Sequence, residues 1–245
     1  MLGNLTRGYK HRLSFPKFPW VLQQNWHNVL FVHYPVYSKS LQKFVPRSLE
    51  LDTFNGMCWV SIVLFIVKKN RIRLLPLIPG TNQFIQMNVR TYVTLDGTPG
   101  VYFLSIDASN KVAVTLATTL FFLPNYDAVM NLQQEGSSIF FQSARKGKVS
   151  LEMECCYKPI SPVFYATKNS LEAWLIERYT LFSLNRNGQP VRGDIYHAPW
   201  QLQHVEATVY KNTMLTDLSI AAEYNEPIFH FSKMQQARIC PLVSV

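Results

Sequence analysis

The segment Phe84–Leu95, FIQMNVRTYVTL, alternates residue by residue. Ile85, Met87, Val89, Thr91 and Val93 fall on one side, and Gln86, Asn88, Arg90, Tyr92 and Thr94 on the other. A period of two is the pitch of a β-strand, whose successive side chains point to opposite faces. The segment is therefore a wall with one apolar and one polar face. A polar sheet face either meets water or lines a pocket. A wet face would carry Lys and Glu. Gln, Asn, Arg and Tyr suit hydrogen bonding to one another or to a ligand, and we read this face as a pocket wall.

Strand-like runs recur at Cys58–Lys68, Val101–Asp107, Lys111–Leu120, Lys148–Tyr157 and His204–Tyr210. The turn signals NG, KKN, DGTPG, ASN and KG separate them. Helical signals are few. PWVLQQNW reads as a short helix leading into a strand near Val29–Val36, and Ser40–Phe44 as a helical turn. Ser170 caps LEAWLIERY, a strand starts near Arg178, and Asn187-Gly188 makes a further turn. With no repeat or linker, residues 1–245 form one expected domain of α+β class. It is predominantly antiparallel β, a sheet that curls or closes into a barrel with a few short helices.

Composition excludes several function classes. Hydrophobic residues make up 48% and charged residues 16%, enough for a core and too apolar for disorder. The net charge of +9 invites a nucleic-acid reading. The basic residues are dispersed, however, and the clusters Lys68–Arg73 and Arg145–Lys148 sit where turns are expected. Zinc-finger spacing, aromatic RNP-type motifs and recognition helices are absent, so the expected partner is a small molecule and no specific nucleic acid. Cys58, Cys155, Cys156 and Cys240 lack ligand spacing and read as buried, reduced thiols, so neither a metal nor a cofactor is expected. The apolar run Met57–Val67 is shorter than the roughly 20 residues a membrane helix needs. Without a recognisable signal peptide, the chain reads as cytoplasmic, with no membrane association.

Side-chain matching proposes a register for the hairpin. With Thr94 opposite Val101, Tyr92 meets Phe103, Arg90 meets Ser105 and Asn88 meets Asp107. Ser105 and Asp107 then join the polar face, with Arg90 paired diagonally to Asp107. Through the ASN turn, the face continues over the small residues Ala113, Thr115 and Ala117.

The same residues carry a family resemblance. NVRTYV, PGVYFLSIDASNKVAV, LFFLPNY, ERY and HAPW, in this order, resemble the bacterial YqjF-like proteins, a family of unknown function, from about Trp26 to Phe231. That family is similar in fold to acetoacetate decarboxylase, whose barrel encloses a small-molecule cavity, so the resemblance implies that Gln86–Tyr92 faces inward. The decarboxylase forms a Schiff base on a lysine beside a second lysine that lowers its pKa. Matched strand for strand, those positions hold Asn125 and Tyr126, and a decarboxylase glutamate falls at Gln86. The resemblance implies the cavity without its imine chemistry.

No GxSxG, HExxH, P-loop or GxGxxG motif is present. His33, His197 and His204 are scattered, and His197 reads as a structural histidine bonded to backbone. Arg178 is expected to pair with Glu177 or Asp194. Glu152 and Glu154 read as a solvated strand face. Two functions follow. One is a protein binding a small polar or anionic molecule through Gln86, Asn88, Arg90, Tyr92, Ser105, Asp107 and Asn125. The other is an enzyme using metal-free acid–base chemistry from Asp107 or Tyr92 in the same cavity.

Overall fold

The computed structural model describes residues 19–147, 151–216 and 226–245. Its strands are β1 (Leu22–Val36), β2 (Glu50–Leu51), β3 (Cys58–Ile72), β4 (Gln83–Leu95), β5 (Thr98–Ala108), β6 (Asn125–Glu135), β7 (Ser138–Arg145), β8 (Glu152–Pro159), β9 (Thr180–Leu184), β10 (Pro190–Tyr196), β11 (Val205–Asn212), β12 (Ile228–Ile239) and β13 (Val243–Ser244). The helices are α1 (Ser38–Leu41), α2 (Lys111–Phe121) and α3 (Leu171–Ile176). The expected α+β class with a curled, mostly antiparallel sheet is what the chain adopts.

The strand pairings return on themselves: β4 pairs with β5, then β9, β10, β12, β1, β3 and β4 again. From β5 a second layer, β6-β7-β8-β11, peels away and folds back over the outside. The core is accordingly double. One cluster fills the gap between wall and flap with Leu30, Val32, Ile62, Leu64, Met87 and Val89 against Phe141, Met153 and Tyr157. The other fills the interior with Val29, Phe31, Val63, Phe65, Tyr92, Val101 and Leu181. Met57–Val67 reads as continuously apolar because β3 is buried on both faces.

The structure corrects several sequence expectations. Lys111–Leu120 is helix α2: Asn110 caps it by accepting from the Ala113 amide, outweighing the β-propensity of its Val and Thr residues. The segment before Val29 is strand from Leu22, with no helix. Lys68–Arg73 is no turn either. Strand β3 runs through it to Ile72, absorbing a left-handed residue at Lys69 (φ 53°). The expected strand Lys148–Tyr157 begins among residues outside the described ones, and its described part is β8. Ser170 caps α3 as expected, accepting from the Ala173 amide. All four cysteines are free thiols, but Cys155 and Cys156 point to opposite faces of β8, so Cys156 is half-buried rather than buried as expected.

The hairpin register is also shifted. Asp96 (φ 50°) and Gly97 (φ 70°) alone make the turn, so Leu95 meets Thr98, Tyr92 meets Val101 and Arg90 meets Phe103. Such a two-residue turn with both φ positive matches strand twist. Between Arg90 and Val89, β5 advances from Phe103 to Ser105, one residue more than β4. This extra residue moves everything beyond it to the other face. Ser105 and Asp107 now stand beside Val89 and Met87, away from the polar face of β4.

Candidate functional site

Three strands bring their polar residues into one row across the interior wall. His33 on β1 is opposite Ser61 on β3, and Ser61 is opposite Arg90 on β4. Ser61 Oγ lies 2.6 Å from His33 Nδ1 and 2.6 Å from the Tyr92 hydroxyl, so the three form one hydrogen-bonded chain. His33, Ser61 and Tyr92 are each 0% exposed. Burial, with the nearby His230 and Arg90, holds His33 well below the usual histidine range, hence neutral. The His33 ring stacks on Phe31 at 5.8 Å and meets His230 edge-on at 5.5 Å.

Arg90 extends over the Phe31 ring at 5.8 Å and the Tyr92 ring at 6.0 Å. Its Nε and Nη2 are out of water, with no hydrogen-bond partner among the described residues. Among the described residues no carboxylate pairs with it. Nε2 of His33, Nη2 of Arg178 and Nε1 of Trp200 are likewise buried and unpartnered. Arg178 comes from the end of α3. It pairs with Asp52 at 2.7 Å, rather than Glu177 or Asp194, and its Nε donates to the Trp174 carbonyl at 2.6 Å. Trp174 packs tilted against the Tyr92 ring at 4.7 Å, so α3 roofs the row. His197 is structural, as expected: Nδ1 lies 2.8 Å from the Ala198 carbonyl.

Four residues before Arg90 on the same face, about 13 Å along the strand, Gln86 enters a cleft of roughly 110 Å³ beneath α2. Gln24, Asn70 and Asn125 supply its other amides, and Ala113, Leu116, Ala117 and Leu120 its apolar wall. Those helix residues recur every three or four positions, which turns one side of α2 to the cleft. A wider groove of about 480 Å³ at the end of α2 is lined by none of the seven candidate residues.

Of the sequence candidates, Gln86, Asn88, Arg90 and Tyr92 therefore share the interior face, and Asn125 joins Gln86 in the cleft. Ser105 and Asp107 do not. Asp107 accepts a two-pronged bond from Arg145, at 2.6 Å to Nε and 2.9 Å to Nη2, so the expected Arg90–Asp107 pair is absent. Burial pushes the Asp107 carboxyl up, and Arg145 offsets part of that rise. Arg145, expected in a solvated turn, is drawn onto the sheet by this pair and stacks over Tyr126 at 4.0 Å. Sequence alone does not bring His33, Ser61 or Arg178 to this row: His33 and Ser61 are lone polar residues in apolar runs, which carry no spacing signal, and Arg178 in Glu-Arg-Tyr reads as a structural partner for a carboxylate.

A model of uncharacterized conserved proteins, DUF2071, matches residues 23–236. The chain belongs to this family. The uncharacterized protein YqjF of Bacillus subtilis is 41% identical over 236 residues, covering 96% of this chain and 97% of that one. Solved structures share the fold at low identity. Acetoacetate decarboxylase from Legionella pneumophila superposes with a TM-score of 0.61 at 12% identity, over 97% of this chain and 94% of its own. The enduracididine biosynthesis enzyme MppR complexed with pyruvate gives 0.61 at 11% identity, over 96% and 93%. Within this DUF2071 chain, Asn125 and Tyr126 lie on opposite faces of β6. Asn125 lines the cleft, and Tyr126 stands beneath Arg145.

Proposed function

We propose that the protein binds a small organic anion inside its curled barrel, without forming an imine. The observation that carries this reading is Arg90, whose Nε and Nη2 are buried and unmatched by any acceptor among the described residues. A buried unpaired charge is costly, so a cation kept in this position wants an anionic partner. A planar guanidinium with two free donors fits a carboxylate, which accepts two parallel bonds. Arg178 Nη2 and Trp200 Nε1 offer further donors in the same region, and His33 Nε2 a donor or an acceptor according to its tautomer. Asn88, with Oδ1 unpartnered, and Tyr92 complete that wall; Gln86 and Asn125 line its extension. Ser105 and Asp107 have no part in it.

Pyruvate and acetoacetate are suitable probes, being short keto acids named with structures of the same fold. By calorimetry, the protein should bind at least one of them. Arg90→Gln should weaken binding by about 10- to 100-fold, the worth of a charged hydrogen bond of roughly 1.5–3 kcal/mol. Borohydride treatment with either acid should trap no adduct detectable by mass spectrometry. Equal affinity in Arg90→Gln, or a trapped lysine, would sink the reading.

A further inference from the structure

We propose that the His33–Ser61–Tyr92 chain is a proton relay that interconverts the keto and enol forms of the acid held at Arg90; this rests on the anion site just described. Both links measure 2.6 Å, and each hydroxyl can donate in either direction. In one direction His33 Nδ1–H donates to Ser61, Ser61 donates to Tyr92, and the Tyr92 hydrogen is left for a ligand oxygen. His33 Nε2 then carries a bare lone pair, and that nitrogen has no partner among the described residues. In the other direction every proton sits one place over, and Nε2–H becomes the donor.

The two directions are the two ends of a reaction. The Nε2 lone pair takes a proton from the carbon next to the ligand carbonyl. The C–H electron pair forms the carbon–carbon double bond, and the carbonyl π pair moves onto oxygen. That oxygen takes the Tyr92 proton, Tyr92 takes that of Ser61, and Ser61 takes the one on His33 Nδ1. The products are the enol and the Nε2–H tautomer of His33; running backwards returns a proton to carbon. No net charge is created, and no oxidant, metal or cofactor enters the balance. That suits an interior where a new ion would be penalised. A neutral imidazole is also the form the surroundings of His33 favour. Arg90, next in the row beyond Ser61, stabilises charge that develops on the ligand while protons are in flight.

The experiment follows the methyl protons of pyruvate by NMR in D2O with the full chain. The wild type should speed their replacement by deuterium above the buffer rate. Ser61→Ala breaks the relay in the middle, and Tyr92→Phe keeps the ring while removing its proton. Each should lower the enzymic rate measured at saturating pyruvate by about 10²-fold or more, the usual worth of general acid–base catalysis. If Ser61→Ala fails to fold, Tyr92→Phe decides alone. Pyruvate bound with no exchange above buffer, or exchange unchanged in the variants, overturns the relay and leaves the anion site standing. Failure to bind pyruvate, together with failure to bind acetoacetate, removes both; failure with pyruvate alone overturns the relay for this acid class.

Discussion

Asp107 and Arg145 show what a single residue can and cannot announce in sequence. Asp107 lies in SIDASN as the evident counter-charge for Arg90 on the neighbouring strand. One extra residue in β5 turns it to the other face, where Arg145, 38 positions on, meets both its oxygens. Nothing in the local sequence marks that extra residue, because Phe103, Leu104 and Ser105 fit either face. The burial of the acid was legible, but its partner was not. With side chains 1% and 12% exposed, the pair is shielded from solvent. Removing one member of such a pair leaves an uncompensated charge, at a cost of about 3–5 kcal/mol. Asp107→Ala should therefore lower urea-unfolding stability by that amount, whereas the exposed Lys69→Ala should stay within roughly ±0.5 kcal/mol. The double variant Asp107→Ala/Arg145→Met should lose clearly less than the two single losses added together. Additive losses would mean that the two side chains act independently.

Among the elements, α2 is one that propensity misassigned. Lys-Val-Ala-Val-Thr-Leu reads as strand, but its position in the topology requires something else. β5 and β6 run parallel, with Ile106 opposite Asn125, and parallel neighbours cannot be joined by a tight hairpin. The chain must cross over, and a helix does so while laying its small residues over the cleft. The signal available in sequence was Asn110, a good cap two residues after the strand ends. Strand β4, with its strict alternation, was legible along its whole length, including which of its faces is polar. Asn110 makes two contacts: its Oδ1 accepts from the Ala113 amide at 3.0 Å, and its Nδ2 donates to the Gly80 carbonyl at 2.7 Å. Asn110→Ala removes both the cap and the tether. Stability should drop by about 1–2 kcal/mol, while Asn110→Asp, which keeps the accepting oxygen, should recover part of it. Equal loss in both variants would assign the effect to the Gly80 tether.

At the scale of the molecule, the interior is where pH acts. The wall of the curled barrel buries His33 and His230, which are 0% and 3% exposed. Burial is the main cause of a shift that takes His230 down to about 4; Glu172 opposes it and His204 adds to it. His33 is also held well below the histidine range. In the unfolded chain both imidazoles take up a proton near the ordinary value of about 6.5. Below that pH the unfolded state binds more protons than the folded one, so stability must fall with pH. The full contribution is present above about 6.5 and is lost progressively as pH falls toward 4. Each group loses about 1.4 kcal/mol per pH unit in the steep part of that range, so His230 alone should account for roughly 1.8 kcal/mol between pH 7 and pH 5. His230→Phe keeps a ring against His33 and cannot take up a proton. The difference in urea-unfolding stability between pH 7 and pH 5 should shrink by about that amount in the variant. An unchanged difference would show that His230 titrates normally in the fold, and that this end of the interior admits water.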